Sequence, residues 1–209
     1  MISLDGFDVS PANYSQTQYQ YEGSSSFIVT QNSAVCSTDD HGASAWSMIA
    51  ENDGASGCGW AQSGYITFPG QSPEYFAQSA TDGCVTSTTY YTSPAVGSKH
   101  AYRSLWVPAC SCIQMSVDSL VLESTSFNPK SNWPWPWQPQ FFGETGFHES
   151  NVPGTPSAQT NYSAIGVQRT ADNTLVAIPC IMERTDQYST RYADVGTSGI
   201  CDAFAIYTF

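Results

Sequence analysis

The sequence predicts an all-β domain in which two antiparallel sheets pack face to face. Only 11% of the residues are charged and 13% are aromatic, which suits half-buried strands because aromatic side chains pack well on a pleated surface. No segment keeps a helical period, and turn signals such as Asp53-Gly54 and Pro153-Gly154 separate short apolar runs. Many short strands joined by turns are typical of a sandwich or jelly roll.

These apolar runs give the positions of the predicted strands along the chain. Alternation is clearest at Ile113, Met115 and Val117, whose intervening residues are polar, as in a half-buried strand. The predicted strands span residues 26–31, 44–51, 59–68, 75–81, 88–93, 101–107, 112–123, 139–147, 161–169, 174–182 and 201–209. They predict one two-sheet antiparallel β-sandwich or jelly roll, concanavalin-like in architecture, over residues 26–209, and a polar N-terminal arm over residues 1–25.

The charge balance excludes two classes of partner. The formal net charge is −12, with six Lys and Arg residues in all. Binding to nucleic acid or to an anionic membrane surface needs clustered basic residues, and none cluster here. The longest apolar stretch, residues 175–182, is far too short to span a bilayer. We therefore expect no nucleic-acid or membrane partner. We also expect a secreted, extracellular protein.

Cysteine spacing indicates disulfides rather than a metal site, because there is no C-x-x-C pair and no zinc-finger spacing of histidines. Cys180 and Cys201 flank a polar connection between two apolar strands, so we predict that they pair. The pairing of the other five cysteines stays open, with Cys36–Cys58 favoured. The sequons at Asn13 and Asn161 are glycan acceptors if the protein passes through a eukaryotic secretory pathway.

Glu144 lies where strand parity predicts an aromatic face. Within the run QFFGETGF it shares a face with Phe142 and His148. A carboxylic acid on such a face is expected to have a raised pKa, as a general acid or base requires. In the alternative, this face is in solvent while Phe141 and Phe147 fill the core.

Gln62 is a second polar residue on a mostly apolar face, which it shares with Trp60 and Ile66. A Gln side chain can donate two N–H bonds to a developing oxyanion without adding charge. The alternative is a core or edge amide that the backbone satisfies. The loop Asp39-Asp40-His41 could hold a cation, but an exposed polar loop explains it as well.

The segments SAWSMIAENDGASGCGWAQSGYITF and PEYFAQSATDG resemble the first half of the glutamic peptidases, acid endopeptidases built as a β-sandwich. Trp46 matches the family's strand Trp, Gln62 its catalytic Gln, and Tyr75 its aromatic strand. Gln78 stands where the family has a carboxylate. Glu144 lies close to where the catalytic Glu of the family would fall.

This resemblance implies a mechanism without metal or cofactor. Glu144 would promote the attack of water on a peptide bond and then protonate the leaving amine, while Gln62 would stabilise the oxyanion. Trp46, Trp60, Tyr75 and Gln78 would bind the substrate.

The stretch Trp133-Pro134-Trp135-Pro136-Trp137 is the most distinctive local pattern. Alternating Pro holds the backbone near polyproline II, so three indoles project from a stiff segment. We expect either a substrate-binding platform formed by Trp133, Trp135 and Trp137, for sugar rings or an extended peptide, or a loop that covers the sandwich. In both cases at least one indole should be mostly buried.

Two functions therefore stay open. The first is a peptidase that acts on protein or peptide substrates at acidic pH. The second is a non-catalytic extracellular module, lectin-like, adhesive or filament-forming, whose partner is a polysaccharide or another surface. A peptidase should keep Glu144 and Gln62 facing one cleft, whereas an adhesive module should offer an edge strand or arm for pairing.

Overall fold

A computed structural model describes the chain over residues 3–9, 21–51, 58–81, 83–133, 136–146, 150–178, 182–186, 192–195 and 203–208. Sixteen strands and one short helix lie in these ranges. They are β1 (Ser3–Val9), β2 (Tyr21–Val29), β3 (Ala43–Glu51), β4 (Trp60–Thr67), β5 (Glu74–Ala80), β6 (Thr86–Tyr91), β7 (Lys99–Val107), β8 (Cys112–Val117), β9 (Leu120–Ser124), α1 (Pro129–Asn132), β10 (Trp137–Thr145), β11 (Gly154–Thr155), β12 (Ala158–Arg169), β13 (Leu175–Ala177), β14 (Met182–Asp186), β15 (Tyr192–Val195) and β16 (Ala203–Thr208).

Two antiparallel sheets form the predicted sandwich. The seven-stranded sheet has the order β14-β1-β10-β3-β4-β5-β6. The nine-stranded sheet follows the path β15-β16-β12-β2-β7-β8-β9, with β11 and β13 paired to β12. The all-β fold class is thus confirmed. No helix in the described part of the chain is long and apolar enough to cross a membrane.

The core lies between the sheets. Along β10, alternate residues point inward, so Trp137 and Phe141 are fully buried against Ile49, Tyr65 and Ile206. The outward set of the same strand includes Gln138, Gln140, Phe142 and Glu144. This period-2 separation decides which side chains of the seven-stranded sheet are free to form a site on its outer face, the face turned away from the nine-stranded sheet.

Three features differ from the predicted element list. The stretch 1–25 contains β1, which pairs with β10 and β14, and the first residues of β2. The run 112–123 is two strands, because Asp118 takes a φ of 52° in a turn between β8 and β9. A single-turn helix, α1, is capped by the side chain of Asn128, which accepts from the Lys130 backbone N–H at 3.0 Å.

The disulfide pairing corrects one prediction. Cys58 bonds to Cys84, not to Cys36, because the β4–β5 hairpin aligns Trp60 with Ala80 and so brings the chain before β4 close to the chain after β5. Cys110 pairs with Cys112, and Cys36 is free and half-buried. The predicted Cys180–Cys201 bond lies outside the described residues.

Candidate functional site

Three neighbouring rows of residues on the outer face of the seven-stranded sheet form the candidate site, each with at most one residue per strand. They are defined by the strand register. The Glu144 row is Glu144, Ser44, Ile66 and Glu74; the aromatic row is Phe142, Trp46, Gly64 and Phe76; the Gln62 row is Gln140, Met48, Gln62, Gln78 and Thr88.

The aromatic row is held together by close packing. The rings of Trp46 and Phe142 lie 5.3 Å apart, and Trp46 is 2% exposed although it faces away from the main core. Its neighbour on β4 is Gly64, where an added Cβ would lie 2.2 Å from the Ala45 carbonyl oxygen and 2.8 Å from the Trp46 Cβ. The absence of a side chain at Gly64 therefore lets the indole pack against the sheet.

Glu144 is fixed by this indole. The Trp46 Nε1–H donates to Glu144 Oε2 at 2.8 Å. Burial raises the pKa of the Glu144 carboxyl above its ordinary value, while the Trp46 hydrogen bond and the charge of His41 act in the opposite direction. The balance leaves Glu144 better able to hold a proton in mild acid than a solvated Glu, as acid–base catalysis requires.

Gln62 begins a chain of amide hydrogen bonds. Its Nε2 donates to Gln78 Oε1 at 2.6 Å, and Gln78 Nε2 donates to Thr88 Oγ1 at 2.8 Å. The side chain is 6% exposed, and its Oε1 atom has no hydrogen-bond partner among the described residues. A buried, unpaired acceptor is costly, and this one belongs to a side chain that the sequence analysis singled out.

One cavity joins the Glu144 row to the Gln62 row. Its volume is about 140 Å³, enough for one side chain or a few waters. The loop before β3 closes one end, where Asp39 Oδ1 accepts from the backbone N–H groups of His41 and Gly42 at 3.1 and 3.0 Å. The lining residues are Asp40, His41, Gly42, Ser44, Gln62, Ile66, Phe68, Phe76, Gln78, Thr88, Tyr90, Glu144 and Gly146.

Glu144 and Gln62 line the same cavity, but the register keeps them apart. Glu144 aligns through Ser44 with Ile66, four residues from Gln62 along β4. Four residues along a strand and two strand spacings place the two Cα atoms on the order of 16 Å apart. Sharing one water therefore requires both side chains to reach across the aromatic row. The residue aligned with Gln62 through Met48 is Gln140, an amide.

The other predicted substrate-binding residues divide between the two faces. Trp46 and Gln78 belong to the outer face. Trp60 has the same parity as Gln62, is the first residue of β4 and is half-buried. Tyr75 points inward, where its hydroxyl contacts His100 Nε2 at 3.0 Å.

Two of the three indoles in the Trp-Pro segment are buried. Trp133 and Trp137 are 3% and 0% exposed in the main core, their rings 5.3 Å apart. The Trp133 Nε1–H donates to the Ala80 carbonyl oxygen at 3.2 Å. This confirms the predicted burial of at least one indole and corrects the substrate-binding role of these two, because buried rings cannot stack on a ligand. Trp135 lies outside the described residues.

Sequence reasoning missed part of the cavity wall. The sequence favours an exposed polar loop at Asp40 and His41, and Thr88 and Tyr90 carry no local motif, yet all four line the cavity. Only pairing of β6 with β5, and packing of the loop beside Gly146, bring them to the cavity. Among the described residues, no group of three or more His, Cys, Asp or Glu side chains could hold a metal ion.

Solved structures with the same fold include two peptidases. A scytalido-glutamic peptidase bound to a peptide-based transition-state analogue matches with a TM-score of 0.63 at 8% identity, over 99% of this chain and 98% of that one. SCP-B, a member of the eqolisin family of peptidases, in complex with the tripeptide Ala-Ile-His, matches with a TM-score of 0.61 at 7% identity and the same coverage.

No protein-family model and no curated protein matches the sequence. At identities this low the structural likeness establishes the fold alone. The likeness confirms that the fold is the one implied by the resemblance to glutamic peptidases seen in the sequence.

Proposed function

We propose that the outer face of the seven-stranded sheet binds an extended peptide, one of whose side chains enters the cavity, and that Glu144 promotes its hydrolysis in acid. The observation that carries the proposal is the cavity itself, which a half-buried carboxyl and a buried amide with an unpaired oxygen both line. Support also comes from the two peptidases of this fold, solved with a peptide-based analogue and with a tripeptide.

The proposed reaction needs one group that can take up and return a proton. The Glu144 carboxylate removes a proton from water as the water oxygen bonds to the peptide carbonyl carbon. The resulting acid then protonates the amide nitrogen as the C–N bond breaks. The Trp46 N–H keeps the carboxyl oriented throughout. Gln62 is proposed to bind the peptide and, where the ligand draws it across Trp46, to stabilise the oxyanion.

A second candidate function, peptide binding without cleavage, is favoured by the spacing of the rows. The aromatic row separates Gln62 from Glu144, and Gln140 rather than a carboxylate is aligned with Gln62. An amide cannot act as a general acid or base. This second function uses the same cavity and the same peptide. It shares the absence of catalysis with the lectin-like, adhesive or filament-forming module predicted from the sequence, but its partner is a peptide rather than a polysaccharide or another surface.

The experiment compares wild type with Glu144→Gln and with a matched control, Glu74→Gln. Glu74 lies in the same row on β5 but does not line the cavity. With an unfolded protein as substrate between pH ~2 and ~5, we expect Glu144→Gln to lose activity by about 100-fold or more, since general acid–base catalysis contributes 10²–10⁴-fold. Glu74→Gln should keep wild-type activity.

Binding is measured in parallel by fluorescence anisotropy of labelled peptides. Binding by wild type and Glu144→Gln, with cleavage by wild type alone, supports the peptidase. Binding by both without any cleavage selects the second candidate. If no peptide from a diverse set binds, both functions are rejected.

A further inference from the structure

We propose that Asn161 is an N-glycosylation site whose glycan covers a groove on the outer face of the nine-stranded sheet. The sequon Asn161-Tyr162-Ser163 lies within β12, on the opposite side of the molecule from the peptide cavity. The proposal is therefore independent of the proposed function.

The parity of β12 turns the acceptor outward. Asn161 is exposed, whereas Thr160 and Tyr162 on either side are buried. Tyr162 stacks on Phe204 in the core with ring centroids 4.4 Å apart, which fixes the orientation of the strand. A glycan is bulky and must remain at the surface of the folded protein. Of the three positions 160, 161 and 162, only position 161 is exposed and can therefore carry a glycan.

The strand is also irregular beside the sequon. The pairing of β12 with β2 shifts register between Ser163 and Gly166, and the exposed Ala164 takes a φ of 47°. Bulges of this kind bend a strand and leave residues unpaired. The Ser163 hydroxyl has no hydrogen-bond partner in the described part of the chain. The Asn161 Nδ2 donates to the Gln159 carbonyl oxygen at 3.0 Å, a contact within its own strand.

Asn161 itself lines an open groove of about 470 Å³. Much of the surrounding wall is apolar, and its residues include Val29 on β2, Lys99 on β7, and Ala203 and Ala205 on β16. A sugar attached to Asn161 would have its first rings beside this groove, and its apolar ring faces would cover the alanine and valine side chains.

The disulfides point to the same route independently. Cys58–Cys84 and Cys110–Cys112 are both formed, and such bonds persist in oxidising compartments. In eukaryotes that is the secretory route, where N-glycans are added. The reaction joins Asn161 Nδ2 to the anomeric carbon of a lipid-linked oligosaccharide, displaces the lipid diphosphate, and releases one amide proton.

The test uses the full chain, secreted from a eukaryotic host, with Asn13→Gln as background so that Asn161 is the only sequon left. Peptide N-glycosidase treatment in ¹⁸O water should convert Asn161 to a labelled Asp. The label and the glycan mass should disappear in Ser163→Ala, which loses no observed hydrogen bond, and remain in Ser163→Thr. The enzymatically deglycosylated protein should bind more of an apolar dye than the glycosylated one.

Two results would overturn the proposal. An unmodified Asn161 in secreted protein that contains the Cys58–Cys84 bond rejects the site. An occupied Asn161 with unchanged dye binding after deglycosylation rejects the covering of the groove.

Discussion

The two faces of the seven-stranded sheet use the same strands for opposite purposes. On the inner face, Trp137, Ile49 and Tyr65 join a continuous core with the nine-stranded sheet. On the outer face, Trp46 and Phe142 belong to a separate, small cluster between two rows that contain polar groups. A small aromatic cluster on an outer face can therefore desolvate a carboxyl without sealing it in the core.

The largest difference between the faces should be in stability. Trp137→Ala removes a fully buried indole from the main core, and we expect it to lower the free energy of unfolding by about 3–5 kcal/mol. Urea denaturation followed by far-UV circular dichroism measures the change. The outer-face variant Phe76→Ala should cost less, because its cluster packs against one sheet only. An equal or greater loss for Phe76→Ala would contradict the proposed hierarchy.

The second prediction compares the two indole N–H groups. Trp46→Phe deletes a hydrogen bond to a carboxylate, worth about 1.5–3 kcal/mol when Glu144 is ionised. Because this bond lowers the Glu144 pKa against the effect of burial, its loss should raise that pKa further, as measured by NMR titration of the carboxyl. Trp133→Phe, which deletes a bond to a backbone carbonyl, is the control and should leave the Glu144 pKa unchanged.

The third prediction concerns the glycine beneath the outer cluster. Gly64→Ala puts a methyl group against the Ala45 carbonyl and the Trp46 side chain, so we expect a loss of about 1–3 kcal/mol from overpacking. Thermal unfolding and Trp fluorescence would report the displaced indole. Gly83→Ala is the matched control, since its added Cβ would meet only Thr81 Oγ1 at 3.6 Å. A stable Gly64→Ala variant with unchanged fluorescence would show that the outer cluster tolerates the methyl.

The smallest effect is the pH dependence from Glu144. Its folded-state pKa is raised above the ordinary value of 4.5, so the folded protein binds more protons than the unfolded chain between these two pKa values. Stability then falls as pH rises from 4.5 through the raised folded-state pKa. Glu144→Gln removes this loss. The stability of the variant relative to wild type should rise across that window and stay flat below it, as melting temperatures at several pH values will test.

The fold was largely predictable because alternation and turn residues are local signals. Most runs predicted as strands overlap observed strands, from β2 through β10 to β16. The turn at Asp118 was missed because a positive φ at a non-glycine residue has no distinctive sequence pattern. The Cys58–Cys84 pairing was missed because it depends on how the β4–β5 hairpin aligns.

Local patterns in the sequence were enough to predict the all-β class, the approximate positions of the strands along the chain and the residues that share a strand face with Gln62 and Glu144, since these depend on neighbours two residues apart. Three features required the folded chain: which residues share the cavity, the place of Trp133 and Trp137 in the core, and the aromatic row between Gln62 and Glu144. The physical reason is that strand pairing in a sandwich is non-local. The register between β3, β4 and β10 sets these distances, and it is fixed by packing against the second sheet rather than by any local segment.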